Sequence, residues 1–207
     1  MPVTPAIYNK LTNKSKKDAT DYTVTWREKG FDSMYIYLML YEWLADNGWH
    51  NRKDEDFPEI AYIHRDFGAA GGVEIWTYWR LQRPVEGMKE GGFATEHMDI
   101  NIHFLNLKPH EMVYKGKKIK TQKGEVEIRV ISYLLFDEEQ YWSKIPLIRS
   151  FQTIMMKRTL KRKKEKWRDD LKLEAHRLRE MLNIYLKIPH YYPEKEVGEF
   201  WLKRTGE

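Results

Sequence analysis

Cysteine is absent from all 207 residues, which excludes disulfides and thiolate metal ligands and fits a reducing compartment. Long apolar runs are also missing. No stretch of about 18 apolar residues could cross a membrane as a helix, and no signal-like hydrophobic segment occurs, so the cytoplasm is the expected location. Glycine is sparse where phosphate chemistry would need it. Gly87, Gly91 and Gly92 fall in one loop, yet nothing matches GxGxxG or GxxxxGK followed by Ser or Thr. The histidines His50, His64, His97, His103, His110, His176 and His190 show neither HExxH nor HxH spacing. Without a nucleophile constellation or metal signature, no catalytic residue, metal ligand or cofactor is expected. An enzyme is the less favoured class. Internal repeats and low-complexity tracts are absent as well.

What the chain does have is aromatic bulk and clustered positive charge. It holds 13 Tyr, 8 Trp and 8 Phe, and 32% of its residues are charged, a composition of globular rather than disordered chains. The net charge of +5 is modest, but its distribution is uneven, and clustering is what creates a local field.

The longest helical pattern runs from Ser143 to Ile188. Ser143 is a candidate cap, Pro146 suits a first turn, and Leu147, Phe151, Ile154 and Met155 share one face suited to covering a sheet. The run Lys157, Arg158, Lys161, Arg162, Lys163, Lys164, Lys166 and Arg168 follows, relieved only by Glu165. A second apolar stripe, Trp167, Leu171, Leu178, Leu182 and Tyr185, continues until Pro189 breaks the helix.

Upstream, residues 1–20 lack periodicity and read as an N-terminal arm. Tyr22, Val24 and Trp26 alternate with polar residues as a strand. Asp32 or Ser33 caps a helix from Met34 to Asp46, closed by Asn47 and Gly48 and apolar almost all round. After a polar connector, Glu59–Phe67 and Val73–Arg83 form a hairpin around a Gly68–Gly72 turn. Met98 to Phe104 alternates as a further strand. Past Pro109 come Met112–Tyr114, a Lys115–Gly116 turn, a short basic strand near Ile119, a Lys123–Gly124 turn and a long strand, Glu125–Phe136. Pro193 precedes a short final helix, Glu194–Arg204.

The predicted fold is therefore α+β: a curved antiparallel sheet of five to seven strands on a long C-terminal helix. Its expected parts are the arm, a core domain over 21–160, and a basic amphipathic helical extension and tail over 161–207. This order of elements, over about Asp21 to Leu160, resembles the helix-grip fold of the START and Bet v 1-like superfamily. The resemblance implies a sheet wrapped on the terminal helix and an apolar ligand held between them. Two departures are visible: a single helix precedes the hairpin, and the terminal helix continues far beyond the sheet.

Three candidate surfaces follow. The basic run, joined by Lys117, Lys118 and Lys120, is a candidate polyanion site, since Lys and Arg at this density neutralise phosphates and release counterions. A solvated helix face is the plainer reading. Trp167, Leu171, Leu178, Leu182 and Tyr185 are candidate docking residues whose partner is the chain itself, another copy or a different protein. On the strands, residues 97, 99, 101 and 103 share a face. A polar pocket of Asp99, His103, Glu74 and Arg80 is thus geometrically allowed, and Asp99, Glu74 and Glu96 are the carboxylates available for acid–base chemistry. Trp76 and Tyr78 face opposite to Ile75 and Trp79, one pair toward the core. The expected function is a non-catalytic intracellular binding or assembly protein, self-associating or docked on RNA or a ribonucleoprotein; the alternative is a carrier of an apolar small molecule.

Overall fold

The computed structural model describes residues 17–51, 58–89, 92–114, 117–137 and 160–187. Its elements are β1 (Lys17–Phe31), α1 (Ser33–Asp46), β2 (His50–Asn51), β3 (Glu59–Asp66), a helical turn α2 (Gly68–Gly71), β4 (Val73–Pro84), β5 (Ala94–Tyr114), β6 (Lys117–Phe136) and α3 (Lys161–Lys187). The six strands form a curved antiparallel sheet, so the α+β class and the C-terminal helix read from the sequence are observed. The sheet order is β1, β6, β5, β4, β2, with β3 also on β4, so the first strand lies beside the last. Contacts divide the chain into two compact units. The first comprises Gln82–Met98, Ile131–His176 and the chain up to Asp21; the second comprises Tyr22–Leu81, Asp99–Val130 and the chain from Arg177 onward.

In the second unit α1 forms where the sequence supplies both ends. The Asp32 carboxylate accepts the backbone N–H of Met34 at 3.0 Å and of Tyr35 at 3.4 Å, satisfying donors the first turn leaves open. Burial pushes the Asp32 carboxyl upward, and those two bonds only partly oppose it. Gly48, at φ 74°, takes the left-handed conformation after the last turn. Ile36, Leu40 and Leu44 recur every four residues and are buried, as are Tyr37 and Leu38. Tyr37 meets buried Trp79 edge-on at 4.8 Å, and the Trp79 indole N–H donates to the Tyr37 hydroxyl at 3.3 Å. That hydroxyl donates in turn to the Glu59 carboxylate, so the phenol is satisfied on both sides. Alternation along β5 and β6 places Ile100, Ile102 and Phe104 with Val126, Ile128 and Val130 in the same buried core.

The strands of this unit are longer than the sequence suggested. Gly124 stands inside continuous β6 rather than in a turn, because a Cβ there would lie 2.8 Å from the Leu105 carbonyl oxygen and 3.0 Å from that of Asn106. Asn106 has φ 54°. Gly72 is crowded against the same point, its hypothetical Cβ 2.8 Å from the Asn106 side chain. Both glycines are therefore there for close backbone approach to a kink in β5. Pro109 does not end β5 either. Beyond Leu107 the strand has passed the start of β4, so a residue without an N–H removes no ladder bond on that side. The Gly68–Gly72 turn between β3 and β4 takes a helical form over Gly68–Gly71, and His50–Asn51 of the polar connector pairs as β2.

The first unit has its own core. Val85, Phe93, Ala94, Met98 and Leu134 are buried with Trp167, Leu171 and Ala175 of α3. Phe93 packs on Phe136 at 5.9 Å, and His97 stacks on Tyr133 at 5.3 Å, 7° from parallel. Lys17–Thr20, read as part of an arm, belongs to β1, where the Thr20 and Ser132 hydroxyls share a 2.7 Å hydrogen bond. A polar strand segment carries no apolar alternation to announce it. The expected helix start at Ser143, the Lys115–Gly116 turn and the final helix Glu194–Arg204 lie outside the described residues.

Candidate functional site

Charge in the first unit is arranged in two ways. On the strands, Arg83 is held by two carboxylates: its Nε and Nη2 donate to Glu96 at 2.9 and 2.6 Å, and Nη1 and Nη2 to Glu174 of α3 at 2.7 and 2.6 Å. Burial alone would disfavour the charged guanidinium, but the bonds to Glu174 and Glu96 outweigh it and hold its pKa above the ordinary value. Glu96 is pushed upward by burial; Arg83 opposes the rise, while Glu174 and Asp170 add to it as like charges. One cation thus serves two carboxylates, and this group is a structural joint between sheet and helix. The sequence offered no sign of it, since its members lie 13 and 91 residues apart. Glu96 accordingly pairs with Arg83 and not with Asp99 or Glu74.

Along the first turns of α3 the balance is reversed. Residues 161–168 read KRKKEKWR, six cations against one anion, or +5, the same as the net charge of the whole chain. Lys161, Arg162, Lys163, Lys166 and Arg168 are exposed. Lys166 reaches Glu86 at 3.1 Å in a fully solvated pair, which raises its pKa, and the Lys164 ammonium lies 5.6 Å above the Phe136 ring. Lys161, Arg162, Lys163 and Arg168 have no hydrogen bond or ion pair among the described residues. The first turn holds no acidic residue, so positive side chains crowd the positive pole of the helix. Lys157 and Arg158 lie outside the described residues. Lys118 and Lys120 are exposed on β6 in the second unit, and Lys117 begins that strand.

Of the expected docking stripe, Trp167, Leu171, Leu178 and Leu182 are buried within the chain itself, and Tyr185 is half-buried with its ring 5.0 Å from Tyr35. Leu173 and Ile184 are the exposed apolar residues of α3.

In the second unit, strand alternation and the β3–β4 register bring a polar and aromatic group to one sheet face. The His103 Nε2 lies 2.9 Å from the Glu74 carboxylate, and its ring stacks on Trp76 at 4.6 Å, 4° from parallel. Arg65 sits 5.2 Å from the Trp76 ring. Next to them, Arg80 donates from Nη1 to the Asn101 side chain at 2.8 Å and to the Trp79 carbonyl at 2.7 Å, with Asp99 3.6 Å from its Nε. The four residues named from the sequence therefore do share a face, as two pairs, His103 with Glu74 and Arg80 with Asp99. Arg80 and His103 each already have a polar side-chain partner, and no hydroxyl or thiol nucleophile is bonded to His103 among the described residues. Nor does any group of three or more His, Cys, Asp or Glu among them converge as a metal site. Elsewhere in this unit, the Arg179 guanidinium lies 5.5 Å from the Tyr22 ring, and burial raises the Tyr22 phenol well above its usual value.

These arrangements belong to an α+β protein with bonded polar pairs on its sheet and an unbalanced basic helix segment. Comparisons with protein-family models, curated proteins and solved structures found no match. No helix among the described residues is long and apolar enough to cross a membrane.

Proposed function

We propose that this protein is a non-catalytic binding protein that docks on RNA, alone or within a ribonucleoprotein, through the basic first turns of α3. The observation that carries this reading is the basic Lys161–Arg168 segment, five of whose six cations are exposed and whose +5 equals the net charge of the chain. Cations crowded at a helix N-terminus repel one another and the helix dipole, and a row of phosphates relieves both. The site is electrostatic, so it favours phosphate spacing over sequence. In this reading the His103–Glu74 and Arg80–Asp99 pairs brace the sheet and perform no chemistry. The helix-grip assignment belongs to the same proposal, supported by the order of elements, the antiparallel sheet and the terminal helix. Self-association, if it accompanies docking, falls to exposed residues such as Leu173, because the main stripe of α3 is covered by the chain itself.

The test is fluorescence anisotropy with a labelled single-stranded RNA of about 20 nucleotides at about 50 mM salt. Wild type should bind. Lys161→Glu combined with Arg162→Glu and Lys163→Glu should weaken binding by a factor of a hundred or more, at roughly one to two kcal/mol per reversed contact. Failure of wild type to bind, or undiminished binding by the triple variant, would overturn the assignment.

A further inference from the structure

The second unit contains a cavity of about 460 Å³ that polyanion docking does not use. Tyr35 and Met39, four residues apart on α1, form one wall; Met181, Ile184 and Tyr185, on a stripe of α3 next to buried Leu178 and Leu182, form the other. Its volume is that of a small-molecule site, and its lining is apolar apart from two residues, Arg177 and Glu180. These stand three positions apart on α3, and neither has a hydrogen bond or ion pair with a described residue. Their attraction for each other across a solvated helix face is weak. A ligand able to engage both would gain two charge-assisted contacts while covering Ile184, which is 60% exposed.

We infer that this cavity binds a small amphiphile with a zwitterionic head. The apolar body lies against Met39, Met181, Ile184 and the two tyrosine rings. Its anionic group meets Arg177 and its ammonium group meets Glu180. Charge complementarity selects this class: a plain fatty acid would leave Glu180 beside its carboxylate, and a plain alkylammonium would face Arg177. Thioethers and tyrosine rings suit a body of no fixed shape, since methionine repacks at little cost. The site is independent of the basic turns of α3, so its failure would leave the RNA reading untouched.

Isothermal titration of the full chain tests the inference with monomeric decylphosphocholine, decanoate and decyltrimethylammonium. Decylphosphocholine should bind most tightly, and shortening its tail by two carbons should weaken it about tenfold, as lost methylene burial requires. Arg177→Gln should weaken the zwitterion and decanoate but not the cation; Glu180→Gln should weaken the zwitterion and the cation but not decanoate; Ile184→Glu should abolish all three. Equal binding of the three probes, affinities unmoved by Ile184→Glu, or no binding at all would overturn it. Light scattering showing a dimer that Ile184→Glu dissociates would also overturn it, by assigning the groove to a second copy.

Discussion

Around Arg83, one guanidinium is enclosed between Glu96 and Glu174; along Lys161–Arg168, in the same unit, six cations stand against one carboxylate and five of the six are exposed. The two regions use the same kinds of side chain under opposite constraints. Charge taken out of water must find its counter-charge inside the fold, so its presence is explained by the fold. Charge left in water is under no such obligation. An excess concentrated in two helical turns, with one ion pair, to Glu86, among the described residues, is the charge that the proposed RNA docking would neutralise.

Several substitutions would break or sharpen that contrast. Arg83→Met should have the largest effect on stability, because it leaves two carboxylates facing each other; with the side chain 22% exposed, a loss of about 3 kcal/mol is expected in urea unfolding. A loss under about 1 kcal/mol would mean that water already screens the group. Leu171→Ala should cost about 2 to 3 kcal/mol by leaving a cavity under α3, and a near-neutral result would contradict its burial in the single chain. Gly124→Ala should cost about 1 to 2 kcal/mol, since its Cβ meets two backbone oxygens that cannot swing away.

The pH dependence is smaller and has a definite sign. Glu96 has a folded pKa above its ordinary 4.5, so between those two values the folded state holds more proton than the unfolded one. Its contribution therefore falls as pH rises through that window. Glu96→Gln should flatten that part of the stability profile, and an unchanged slope would show that another group titrates there. Smallest of all, Lys161→Gln with Lys163→Gln should move stability by no more than about 0.5 kcal/mol. A large loss would make the basic turns part of the architecture and erase the contrast.

Much of the fold was legible wherever a local signal had one meaning. Asp32 before an apolar run and Gly48 after it mark α1 at both ends, and the alternation Met98 to Phe104 marks the middle of β5. Signals with two meanings misled. Gly124 and Pro109 look like turn residues, yet one allows two backbones to approach and the other sits where β4 has not begun. The pairs His103–Glu74 and Arg80–Asp99 were accessible because strand alternation and hairpin order put them on one face. The Arg83 group was not, since nothing in the chain links positions 83, 96 and 174 before they fold. The covered α3 stripe shows a similar limit. Periodicity reveals that Leu171, Leu178 and Leu182 need a cover, not that the chain supplies it.

The most direct measurement is the salt dependence of RNA binding by wild type and by a variant in which Lys161, Lys163 and Arg168 are each replaced by Gln. With five or six phosphates neutralised on a single strand, the logarithm of the binding constant should fall with the logarithm of salt at a slope near −4, and the variant should flatten it by about 2. A slope that the variant leaves unchanged, or no binding at low salt, would contradict the claim that the unbalanced charge of α3 is there for a polyanion.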